Sequence, residues 1–549
     1  MNFSSVYLFT SWEFLMFLAV TILGYFTVPK AIAALGRTSF FSKFPTLQNT
    51  QWIWLLIASS VFYASYYSFL STKYKFGNLA YLFILFLVFS IVSVYFCGII
   101  IGKMTKTQKT QAKSNPENKK AIKKAFDKKK RLIILIACLL NFGILCLLKY
   151  SGFAVENINS LLHTTLTSPE WIIMPLGISF YTFQCISYVV DVYRGTTKPE
   201  KNIFRFTLFV SYFPQIFQGP IGRHNELAPQ LFEVHTFNQE RVGRGIFRIA
   251  WGLFKKLVIA DRLINFITPV LTAENEYSAP ILLLAIIMNA IWLYADFSGY
   301  MDIALGASEA MGINLTDNFR TPFFSLSIAE FWARWHISLG SWFRDYLFYP
   351  ISLAGCFRKK KPTNKIARTI MKYLPSTMGY LAVWITMGIW HGASWNFVFE
   401  GIFFGAILIL SSWLDTPFRY TKQKLHGWFF DFIRMIRTFL LVAVGFLFFS
   451  ADSLGRAVNI LSRICTLSMD GSKSPFVTGF NSWQWIIAAM GIAILLIIEI
   501  ITEKKGKICD LLYKSNYVVR SLVLLAILLG VILLGIYGTG EVSFAYFEF

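Results

Sequence analysis

The sequence predicts an all-α, polytopic integral membrane protein. Three observations carry this expectation. Of 549 residues, 55% are hydrophobic and 15% charged, too little charge to clothe a soluble chain of this length. Uncharged apolar runs of about 17–25 residues recur along the chain, the length a helix needs to cross hydrocarbon. The formal charge of +23 sits on basic residues between those runs. There it orients helices, so nucleic acid is not expected as a partner.

In chain order the expected spans are 11–28, 52–69, 79–101, 132–150, 172–190, 244–268, 280–303, 377–390, 395–413, 434–450, 484–502 and 519–537. That is about 11–13 transmembrane helices in a single domain, 1–549. The first apolar stretch, Phe14 to Val28, lacks a basic leader and a small-residue cleavage site, and reads as a spanning helix rather than a cleaved signal. Segments 204–222 and 329–350 are apolar but interrupted, which suits re-entrant or interfacial helices. The seven cysteines form no CxxC pair. They read as thiols within helices, and no metal site is expected.

Charge gives the orientation. The loop 103–131 holds Lys103, Lys106, Lys109, Lys113, Lys119, Lys120, Lys123, Lys124, Lys128, Lys129, Lys130 and Arg131 against Glu117 and Asp127. The excess of basic residues places it in the cytoplasm. It reads as a solvated topology loop, with contact to an acidic lipid or acidic carrier as the functional reading. Counting spans from there puts the C-terminal tail, 538–549, on the outer side.

Of six histidines, His163, His224, His235 and His426 lie in polar stretches and read as loop residues. His336 and His391 are embedded in apolar, Trp-rich sequence. An ionisable group at membrane depth needs a reason, and imidazole moves protons near neutral pH, so it can activate a hydroxyl for acyl transfer.

The motif core, about 172–413, carries the rest. Met174–Gln184 and Phe213–Ile221 come first. Tyr294–Asp302 and Asn318–Pro322 follow, then Glu330–Leu339, Trp342–Leu347 and Trp390–Trp395. In this order and spacing the motifs resemble the membrane-bound O-acyltransferase family, in the branch that serves alginate and peptidoglycan O-acetylation. The resemblance implies helices ringing a thinned centre crossed by a tunnel, in the cytoplasmic membrane of a bacterium. It implies acetyl-CoA or an acyl carrier protein as donor, with no metal. The acceptor it implies is an extracytoplasmic polysaccharide or peptidoglycan, served by a separate SGNH-type acyltransferase or hydrolase partner. It makes His391 the base or acyl-transfer centre, with His336 in support. Two departures, Ala333-Arg334 before the second histidine and Ile351–Gly355 after Tyr349-Pro350, leave the substrate open.

Several residues keep two readings. Asp296, Asp302, Arg334, Arg344 and Asp345 are charges among apolar residues and must pair. Arg334 and Arg344, with Trp390, are also candidates for donor binding. Trp332, Trp335, Trp342, Trp390 and Trp395 either line an acyl channel or serve as anchors and core. The aromatic tail Ser543–Phe549 is either an interfacial anchor or a relay, in which Tyr546 accepts the acyl group and passes it outward. Two rival functions remain: D-alanyl transfer to teichoic acid, and a transporter or flippase of lipid-linked glycans.

Overall fold

The computed structural model describes residues 5–35, 50–73, 77–167, 174–216, 218–358, 364–424, 427–471, 473–476 and 480–537. Among them there is no strand. Among the described residues, nine helices are long and apolar enough to cross a membrane. The chain divides into two compact units, Met1–Ile249 with Ile303–Thr316, and Ala250–Asp302 with Asp317–Phe549.

The first unit opens with α1 (Trp12–Leu35) and α2 (Gln51–Lys73), followed by α3 (Ile84–Ser114) and α4 (Lys119–Leu162). Then come α5 (Ile178–Arg194), α6 (Ile203–Ser211), α7 (Phe213–Ile216), α8 (His224–Phe232) and α9 (Gln239–Leu253). Its core is aromatic. Phe17 and Phe62 meet Phe213 at ring centroid distances of 5.2 and 5.8 Å. The buried Gln51 side chain spans the start of α2, donating to the carbonyls of Tyr25 and His235 at 3.2 and 2.8 Å and accepting from the His235 amide at 2.8 Å. Gly177 turns the chain into α5 with φ +68°. A Cβ there would lie 2.1 Å from the Ile216 carbonyl oxygen, so only glycine fits.

The interrupted segment 204–222 does break, between α6 and α7. The expected loop 103–131, by contrast, is helical. α3 continues to Ser114 and α4 restarts at Lys119, leaving only Asn115–Asn118 as the turn. Lysine, alanine and glutamine are good helix formers, and this pair of helices is also locked inside. Lys130 Nζ, buried, donates to Gln108 Oε1 at 2.7 Å and pairs with Asp127 at 3.3 Å. His224 is likewise not a loop residue. It opens α8, buried against the rings of Tyr188 and Phe209, each 4.9 Å away, and burial pushes its imidazole down to about 4. His426 lies outside the described residues.

The second unit takes the end of α9, a π-helical turn Phe254–Ala260, α10 (Asp261–Thr272) and α11 (Ala279–Ala310) as far as Asp302. The short α12 (Ile328–Arg334) and α13 (Ile337–Phe343) follow, then a second π turn, Arg344–Phe348, and α14 (Tyr349–Ser352). Segment 329–350 is therefore broken, as expected of an interrupted helix. The unit closes with α15 (Lys365–His391), α16 (Trp395–Lys424), α17 (Trp428–Ser450), α18 (Leu454–Cys465), α19 (Ser482–Lys505), α20 (Ile508–Lys514) and α21 (Tyr517–Leu534). Arg262 ties three of these elements together. It donates to Val258 O at 2.6 Å, Gln484 Oε1 at 2.6 Å and Leu534 O at 2.7 Å.

Candidate active site

His391 is the last residue of α15, and Trp395 begins α16 after a three-residue turn. The two helices then run back along each other at glycine contacts. A Cβ on Gly388 would lie 2.4 Å from Phe397 O, and one on Gly401 would lie 2.2 Å from Trp384 O. Small residues at such crossings let membrane helices approach backbone to backbone. Asn396 fixes the start of α16 by donating to Phe448 O and Ala451 O at 3.1 and 2.9 Å. The residue before Gly401 is Glu400, and the close crossing delivers its carboxylate to His391. Nδ1 and Oε2 are 2.9 Å apart, with both side chains buried. A carboxylate in this position accepts only from a protonated Nδ1, an arrangement that leaves Nε2 as the basic nitrogen.

His336 sits where α12 ends and α13 begins, in the left-handed backbone region at φ 44°. A non-glycine residue there stores strain that its surroundings must hold. Asn318 does so. Its carbonyl accepts from the Ile337 amide at 3.1 Å, and its Oδ1 from the Ser338 amide at 2.8 Å. The His336 ring packs on Phe297 at 4.8 Å and lies 6.4 Å from Trp390. Trp390 is 5.5 Å from the His391 ring, whose other wall is Phe449 at 5.4 Å. The structure thus places Trp390 beside both motif histidines.

The motif aspartates are paired, as buried charges must be. Lys256 Nζ meets Asp296 at 2.5 Å and Asp261 at 2.8 Å, while Lys255 Nζ meets Asp302 at 2.6 Å and Ser298 Oγ at 2.8 Å. Both lysines lie in the first π turn. Their clamp flanks Phe297 on α11 and so sets the ring against which His336 packs. Sequence reasoning passed over Glu400, Lys255 and Lys256. The signal was present: each is a charge inside an expected span, 395–413 or 244–268.

The remaining candidates scatter. Arg334 pairs with Glu330 at 2.7 Å and with Glu503 on α19 at 2.9 Å. Arg344 is exposed and pairs with its neighbour Asp345 at 3.1 Å, so this pair is not a buried one. Trp335, Trp342 and Trp390 are core residues, whereas Trp395 is exposed, which fits an anchor better than a channel lining. Tyr546 lies outside the described residues. Among the described residues no group of His, Cys, Asp and Glu is arranged to hold a metal ion.

A buried carboxylate–imidazole pair at a helix end is suited to holding and passing a proton. The model of the membrane-bound O-acyltransferase family matches residues 200–451, which contain His336, Trp390, His391, Glu400 and the Lys255 and Lys256 clamp. The chain belongs to the membrane-bound O-acyltransferase family, and it is a multi-pass bacterial membrane protein. The probable alginate O-acetylase of Pseudomonas putida is 36% identical over 327 residues, covering 58% of this chain and 62% of that protein. The chain thus spans less than two thirds of that relative's length. The peptidoglycan O-acetyltransferase of Helicobacter pylori is 28% identical over 574 residues, 97% of this chain and 95% of that protein. The teichoic acid D-alanyltransferase of Bacillus subtilis is 28% identical over 284 residues, 51% and 70% of the two chains.

Proposed function

We propose that this protein is a membrane O-acyltransferase, transferring acetyl from a cytoplasmic thioester for O-acylation of an extracytoplasmic polysaccharide or peptidoglycan. The observation that carries the reading is the buried His391–Glu400 pair, 2.9 Å apart. His391 Nε2 takes the proton of the attacking hydroxyl as its oxygen bonds to the thioester carbonyl carbon. The C–S bond breaks, and the departing thiolate recovers the proton from the imidazolium. Glu400 fixes the tautomer and steadies the imidazolium while the proton is on the ring. Trp390 and Phe449 wall the imidazole, and Trp390 stands between it and His336. Acetyl as the acyl group, and peptidoglycan or alginate-like polymers as acceptors, draw support from the names of the relatives. The peptidoglycan enzyme supports it over nearly the whole chain.

The first acceptor in this reading is the phenol of Tyr546, at the outward C-terminal tail. Its acetyl ester is then passed to a serine of an SGNH-type partner outside the membrane, which acylates the polymer. Tyr546→Phe keeps the ring and removes the nucleophile. Polymer acetylation, measured by release of acetate from purified wall or exopolysaccharide, is expected to collapse in both His391→Ala and Tyr546→Phe, with membrane insertion intact. Mass spectrometry of the wild-type C-terminal peptide is expected to show an acetyl adduct that His391→Ala lacks. Normal acetylation by His391→Ala contradicts the enzyme and favours a flippase. Normal acetylation by Tyr546→Phe alone makes the tail an anchor. A D-alanyl adduct in place of acetyl moves the protein to the teichoic acid branch.

A further inference from the structure

The mechanism leaves the basic helical hairpin without a task. Orienting a membrane protein needs only positive charge near the membrane; it needs no folded structure. Here the charge is mounted on a rigid frame. The 44 residues of α4 measure about 66 Å at 1.5 Å per residue, against roughly 30 Å of hydrocarbon. No proline interrupts α3 or α4. The apolar stretches end at Ile101 and begin again at Leu132, so both helices continue about 20 Å past the bilayer edge. The Lys130–Gln108–Asp127 lock holds the two together inside this extension.

Of the twelve basic residues only Lys130 is buried; the other eleven are exposed. Glu117 and Asp127 are the only acids between Lys103 and Arg131. A field of one sign on a rigid body attracts and orients an oppositely charged partner. The reach decides which partner. The surface potential of anionic lipid fades within a Debye length, about 8–10 Å. Lys109, Lys113, Lys119, Lys120, Lys123 and Lys124 stand in the outer part of the hairpin, beyond that distance, and face the aqueous phase. Nucleic acid suits the surface poorly, since it offers one arginine, no tyrosine and no tryptophan for phosphate forks or base stacking. A small CoA ester requires no platform of this length.

We propose that the hairpin docks an acidic, soluble carrier protein that brings the acyl group to the cytoplasmic face as a thioester. This deepens, and rests on, the acyl-transfer reading above. The carrier arrives acylated and leaves with its thiol protonated, as the balanced transfer step requires.

The test uses the full-length protein in discs of zwitterionic phosphatidylcholine, with acetylated acyl carrier protein and acetyl-CoA as separate donors. The deciding variant carries Lys109→Glu, Lys113→Glu, Lys120→Glu and Lys124→Glu; its control carries arginine at the same four positions. Fluorescence anisotropy of labelled carrier is expected to show binding to the wild type that weakens about tenfold as salt rises from about 50 to about 300 mM. A further loss of about tenfold or more is expected on charge reversal and none with arginine. For the carrier-borne donor, kcat/KM is expected to fall with kcat unchanged. Absence of wild-type binding, or equal binding by the reversed variant, overturns the proposal. So does hairpin-dependent binding to vesicles of about 30% anionic lipid that equals binding to the carrier. A carrier that binds but yields no acetyl, while acetyl-CoA does, overturns the donor assignment. Because His391→Ala is expected to bind carrier like the wild type, failure of the acyl-transfer chemistry shows up separately from failure of docking.

Discussion

Two regions of this molecule hold dense charge, and they hold it in opposite ways. Along the hairpin of α3 and α4, eleven exposed cations face water. In the second unit, Lys255, Lys256, Asp261, Asp296, His391 and Glu400 are all buried, and each has a partner within 2.9 Å. The difference follows from solvation. Water and salt screen the first group, so each charge is nearly independent and acts through the summed field. The second group has lost its hydration, so every charge relies on a specific neighbour. One region is expected to tolerate the loss of any single member, and the other almost none.

Glu400→Gln puts this contrast to its hardest trial. The amide can donate to Nδ1 and favours the wrong tautomer. Acyl transfer is expected to fall by about 10²- to 10⁴-fold. Adding His391→Ala to it is expected to cost little more than His391→Ala alone, because the two act as a unit. Additive losses in a single-turnover assay would show that Glu400 only packs the helix crossing. Lys256→Met comes next. It removes the cation shared by Asp296 and Asp261, and a destabilisation of about 3–5 kcal/mol is expected, read as a lowered melting temperature in detergent. Asp296→Asn in the same chain is expected to restore part of it. If the double variant melts lower than Lys256→Met, the clamp is not a coupled set. Lys113→Ala on the hairpin is the smallest change, expected to stay within about 0.5 kcal/mol of wild type. A larger shift in that melt would mean the exposed charges are interdependent after all.

The all-α membrane class, the two motif histidines and the need for Asp296 and Asp302 to pair were legible from apolar run lengths and residue chemistry. The partners were not, because pairing is a matter of distance in space. Glu400 is nine residues from His391, across a turn, and reads along the chain as one acid in a run of phenylalanines. Only the crossing at Gly388 and Gly401 brings it home. Lys255 and Lys256 were hidden by a single long apolar stretch that the structure divides with a π turn. The hairpin reads along the sequence as a loop because runs of lysine lack an apolar period. Its helices depend on residue propensity and on one buried lysine, which composition does not reveal. The reading of Tyr546 rests on sequence alone.

The glycine crossing of α15 and α16 also bears on how the protein is made. α16 is apolar enough to enter a bilayer unaided, whereas α15 is not among the nine helices that meet that standard. It carries Lys365, Arg368 and Lys372 at its start and His391 at its end. Such a helix gains its place in lipid from a companion that covers its polar groups. With backbones this close and three residues between them, α15 and α16 are expected to leave the translocon as a pair. His391 is then expected to meet Glu400 during biogenesis, before the later helices of the chain exist to enclose the pair.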